Sequence, residues 1–162
     1  MDTPSIIIGS TLLLLFVGPI LYAIWMQNHK DKKRLKKLNE VGSTQKLKFD
    51  YTEISNTLLL GLDAQARKLV VIEPQNNMQF DIIDLNKIDN SKILKKAVPN
   101  ADRSRGRERI VQISIELLEN HGKDKVTEIM FYDEDGPEAA DMAARLFLAE
   151  RWEKLIHMNL SA

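Results

Sequence analysis

Apolar positions along the chain fall into three regimes. From Thr3 to His29 there is no Lys, Arg, Asp or Glu, and the 21-residue stretch Ile6–Met26 holds 16 apolar residues. A helix rising 1.5 Å per residue crosses a ~30 Å hydrocarbon core with ~20 apolar residues, so this stretch predicts a transmembrane helix over 6–26. Tyr22 and Trp25 would sit at headgroup level near its end, and Gly18-Pro19 is tolerated in such helices. A cleaved signal peptide fits less well: Asp2 precedes the apolar core, no base does, and Tyr22-Ala23-Ile24-Trp25 is a poor cleavage site.

In the middle of the chain the pattern changes to short runs. Leu47, Phe49 and Tyr51 alternate with polar residues, as in a strand or equally a short helix. Thr57–Leu62 and Lys68–Glu73 flank Asp63–Arg67 and predict a hairpin. Phe80–Leu85 and Lys92–Ala97 are two further candidate strands. Val111, Ile113, Ile115 and Leu117 alternate with Gln112, Ser114 and Glu116, a half-buried strand. Asn120-His121-Gly122 turns the chain into a strand over 126–132. The last regime has helical spacing. Asp135-Gly136-Pro137-Glu138 reads as a helix start, and Met142, Leu146, Ala149, Trp152 and Ile156 form an apolar stripe within a helix expected over 137–158. The predicted organisation is a short extracytoplasmic N-terminus (1–5), the span (6–26), a basic juxtamembrane linker (27–46) that becomes polar over 39–46, and a domain over 47–160.

Charge sharpens this picture. The chain carries 23 Lys+Arg and 23 Asp+Glu. The stretch 30–48 is net +6 and the stretch from Phe49 onward is net −5. The bases Lys30, Lys32, Lys33, Arg34, Lys36 and Lys37 follow the apolar stretch and Asp2 precedes it. By the positive-inside rule the N-terminus is expected outside and the domain in the cytoplasm. Those six bases are the expected contacts to anionic headgroups. Ser5 and Gly9, four apart, are small residues that would let two spans pack as a homodimer.

Strands Leu58–Asp63 and Lys68–Glu73, then Ile82–Ile88, then Trp152 on a closing helix, form an order that resembles the pleckstrin-homology-like fold. The fold class so implied is α+β: an N-terminal transmembrane helix, then a bent antiparallel sheet or partial barrel of six or seven strands capped by a C-terminal helix. The chain is also similar to uncharacterised single-pass bacterial membrane proteins, which implies a bacterial inner membrane. The fold hosts lipid-binding, peptide-binding and structural roles, so it names no ligand.

Candidate chemistry is sparse. There is no cysteine, which excludes thiolate metal clusters and cysteine catalysis. His29, His121 and His157 are the only histidines, and no zinc-protease, nucleophile-elbow or P-loop pattern occurs. Asp133-Glu134-Asp135 reads as a helix-capping run, and Asp81, Asp84 and Asp89 as a solvated strand face. No metal, cofactor or catalytic residue is expected. A second basic cluster contains Lys92, Lys95, Lys96, Arg103, Arg105, Arg107 and Arg109. On an extended chain its four alternating arginines would point to one side, and guanidinium forks suit phosphate or carboxylate. In pleckstrin-homology-like proteins that bind phosphoinositides such positions do this work, so the resemblance implies Arg103, Arg105, Arg107 and Arg109 as an anionic-ligand site. Nucleic acid is not expected, because the domain is net acidic and offers no stacking platform. The expected function is a membrane-anchored, non-catalytic binding or scaffolding module for a protein partner or anionic lipid headgroups. The alternatives are a structural subunit of a membrane complex, with an exposed patch at Phe147 and Leu148, and an enzyme in which two of Asp81, Asp84, His121 and Asp133 face each other.

Overall fold

The computed structural model describes residues 3–99, 108–119, 126–137 and 139–160, and among these the side chains of 3–12, 14 and 28 are outside the description. The chain divides into two compact units, 1–37 and 38–162.

The first unit is helical, part of α1 (Thr3–Thr44). The expected transmembrane span over 6–26 is corrected here: among the described residues no helix is long and apolar enough to cross a membrane. The helix also continues past Met26 through the charged run 30–37. The outward N-terminus, the cytoplasmic domain and the inner-membrane location all rested on that span and fall with it.

The second unit is α+β. Strands β1 (Tyr51–Ile54), β2 (Leu59–Asp63), β3 (Lys68–Glu73) and β4 (Gln79–Asp84) form one antiparallel sheet in sequence order. Strands β5 (Ile88–Val98), β6 (Arg109–Glu119) and β7 (Val126–Asp133) form a second. The expected single bent sheet is therefore two sheets of four and three strands. The break has a local cause. Asp84 caps a 3-10 turn, Leu85–Lys87, by accepting the Asn86 N–H, and buried Leu85 donates its own N–H to Arg67 O at 2.9 Å. The chain leaves one sheet at that turn and enters the other.

Helix α2 (Met142–Met158) closes the main core. Ala149, Trp152 and Ile156 are buried in it, with Met142 and Leu146 packed alongside. The helix begins later than Pro137, because Gly136 N–H closes a turn onto Asp133 O at 3.0 Å and a 3-10 turn occupies 139–141.

A second core lies on the other face of the four-stranded sheet. Leu38 and Val41, near the end of α1, are buried there with Leu59, Val70 and Ile72. The stretch 27–46, expected as a linker, is thus helical as far as Thr44, and its end belongs to the second unit. All five residues of β2 are buried, because the strand is covered on both faces. Such strands read as continuous apolar runs instead of alternating ones, and Leu58-Leu59-Leu60-Gly61-Leu62 does so.

Candidate functional site

Of the expected anionic site, Arg103, Arg105 and Arg107 lie outside the described residues. Arg109 opens β6, and its Nη1 lies 3.0 Å from Glu134 Oε1. It lines a cleft of about 720 Å³ together with Asp133, Glu134 and Asp135. The described surroundings of Arg109 are acidic, and Glu134 pairs with its charge. Lys92 and Lys95 are likewise engaged, with Glu116 at 2.8 Å and Glu150 at 3.9 Å. The six bases of 30–37 stand on α1, where Arg34 pairs with Asp31 at 3.1 Å and Lys30, Lys32, Lys33 and Lys36 are exposed.

Among the described residues the acidic and histidine candidates do not converge on one another. Asp81 and Asp84 line one cleft of about 460 Å³ beside Lys87 and Glu119, but Asp84 is occupied as a turn cap. Asp133 lies in other clefts, Asp89 is exposed on β5, and His121 is outside the described residues. His157 occupies the last turn of α2, where a cation complements the helix dipole. His29 packs edge-on to Trp25 with ring centroids 4.5 Å apart. Among the described residues no group of three His, Asp or Glu could hold a metal ion.

Asp63 is a structural carboxylate. It is 4% exposed, and it accepts the Lys48 N–H and the Ala66 N–H, each at 2.7 Å. Burial pushes its carboxyl up, but backbone N–H groups of Ala66, Lys48 and Gln65, with the Lys48 charge, outweigh this and hold it below the usual aspartate value. It fixes the β2–β3 turn and the approach to β1, away from any cleft described above.

A different site emerges beside β7, the last strand of its sheet. Between Ser114 and Ile113 the β6–β7 register shifts by one, so Phe131 and Tyr132 are both buried. The Tyr132 hydroxyl donates to Ala139 O at 3.3 Å, which ties the strand to the turn before α2. Next to β7 lies a cleft of about 210 Å³ with Leu58, Phe131 and Pro137 among its apolar lining residues and Glu73 and Asp133 as its carboxylates. Three hydrogen-bonded turns frame it. Ser55 Oγ accepts the Leu58 N–H at 2.9 Å; Asn76 N–H donates to Glu73 O at 3.1 Å; Asp135 N–H donates to Asp133 Oδ1 at 3.1 Å. Among the described residues neither Lys nor Arg lines the cleft.

The arrangement offers an apolar pocket, two carboxylates and, among the described residues, a strand paired on one side only. An unpaired strand edge presents a row of N–H and C=O groups to a further strand. Sequence reasoning missed this site because its lining comes from three separate segments. The one local signal was Asp133-Glu134-Asp135, read as a cap. No family model matches the chain, and no curated protein or solved structure matches it either.

Proposed function

We propose that the second unit is a non-catalytic binding module of pleckstrin-homology-like arrangement, which takes an extended segment of a partner protein along the edge of β7 that no described strand pairs with. What argues for the arrangement is the strand order β1-β2-β3-β4 and β5-β6-β7 with a closing helix. The observation that carries the function is the placement of a preformed apolar cleft against an edge strand. Strand addition draws affinity from main-chain hydrogen bonds and specificity from pockets for alternate side chains. The cleft supplies such a pocket, and its turn-framed walls need little reordering on binding, which lowers the entropic cost.

The test is selection of a random-sequence peptide library on the full chain, with Gln75→Trp as control. Gln75 is exposed and lines the cleft, so this substitution fills the mouth without touching the core. Binders are expected that weaken at least about tenfold on Gln75→Trp and on N-methylation of alternate peptide amides. Recovery of no binder sensitive to both changes would overturn the proposal.

A further inference from the structure

We infer that the segment docked along β7 is basic: an extended peptide placing one apolar side chain in the cleft and Lys or Arg at the flanking alternate positions. This rests on the proposed docking strand and deepens it by naming the chemistry of the partner. Glu73 and Asp133 are both exposed, both line the cleft, and neither pairs with a described cation. Three other clefts among the described residues differ. The one on the outer face of β5 and β6 contains Lys92 bound to Glu116, the one beside β4 contains Lys87, and the one at Asp133–Asp135 contains Arg109 bound to Glu134. Among the described residues the β7 cleft, unlike these three, joins apolar lining to carboxylates with no cation of its own.

Spacing supports the same chemistry. Alternate residues of an added strand face one side about 6.8 Å apart, so a side chain seated between Leu58 and Phe131 has its i−2 and i+2 neighbours over the rim. Glu73, at the end of β3, and Asp133, at the end of β7, are the charges that lining provides there. Exposed rim charges act mainly on encounter rate, on salt dependence and on rejection of the wrong partner. An acidic segment would meet two like charges, and a basic one two complementary charges.

The experiment selects one random peptide library in parallel on the full chain and on its Glu73→Lys/Asp133→Lys double variant, with circular dichroism to check that the exposed substitutions leave the fold unchanged. Among binders weakened by Gln75→Trp, Lys and Arg are expected to be enriched on the native chain and replaced by Asp and Glu on the double variant. Synthetic basic binders should prefer the native chain by about tenfold at low salt, with the preference shrinking as salt rises. Cleft binders lacking basic enrichment, or enriched identically on both proteins, overturn this inference and leave strand docking standing. Absence of any binder sensitive to Gln75→Trp overturns both.

Discussion

The ring of Phe49 fills the space that a side chain on Gly61 would need. A Cβ built on Gly61 lies 2.9 Å from three ring atoms of Phe49, and one on Gly42, in α1, lies 2.7 Å from a fourth. The ring is therefore held between the end of a helix and the middle of β2, over the second core. Gly61→Ala should overpack this contact and cost about 1–3 kcal/mol in urea denaturation. Gly42→Ala should cost less, because Ala gains ~1 kcal/mol of helix propensity that opposes the clash. With Phe49→Ala already present the clash is gone, and Gly42→Ala should become stabilising. If the sign of the Gly42→Ala effect is the same in both backgrounds, the ring does not set it.

Asp63 gives the fold a defined acid sensitivity. Its carboxylate receives two short backbone N–H bonds while buried, and its folded-state pKa lies below the usual value. A depressed carboxylate contributes stability above its unfolded pKa of ~3.9 and loses it as pH falls through the folded-state value. Asp63→Asn has no such titration. Native chain and variant should therefore differ by about 1.5–3 kcal/mol at neutral pH, the loss of charge-assisted bonds to a buried acceptor. The gap should narrow below about pH 4. Denaturant midpoints measured across that range test this, and a gap that stays constant down to about pH 2.5 would contradict it.

How far the fold was legible depended on whether one strand face or two were covered. The alternation Val111, Ile113, Ile115, Leu117 located β6, and the stripe through Ala149, Trp152 and Ile156 located the buried face of α2. The apolar residues of each element share one face, so the period shows in the sequence. The second core was not legible, because only Leu38 and Val41 mark it within a charged, polar stretch. Two apolar residues three apart are too few to define a helical face. The site was less legible still: arginine alternation drew attention to 103–109, whereas the cleft draws its lining from three separate stretches, 57–58 before β2, 73–75 at the end of β3, and 130–137 at the end of β7. Three-dimensional convergence of that kind leaves no spacing to read.

That second core makes the end of α1 part of the module. Leu38 is fully buried, whereas Leu35, one turn earlier, is 39% exposed. Leu38→Ala should destabilise the second unit by about 2–5 kcal/mol, the transfer and cavity cost of a buried leucine. Leu35→Ala should stay within about 0.5 kcal/mol, as for most surface positions. Equal effects in chemical denaturation would mean that residues 38–44 do not cover the sheet.

Helix α2 separates burial from hydrogen bonding at one residue. Trp152 is fully buried, and its Nε1 has no hydrogen-bond partner among the described residues. A buried donor without a partner carries a desolvation penalty, so the indole contributes through packing alone. Trp152→Ala should cost about 3–5 kcal/mol, as for other large-to-small aromatic substitutions. Trp152→Phe keeps most of the apolar volume and removes the unpartnered N–H, so its cost should fall to about 1–2 kcal/mol. Phe147, on the same helix, is 69% exposed, and Phe147→Ala should change stability by no more than about 0.5 kcal/mol. Melting curves of the three variants order these effects. A Trp152→Phe loss as large as that of Trp152→Ala would show that the indole N–H is bonded in solution and that its hydrogen bond, not its volume, holds α2 in place.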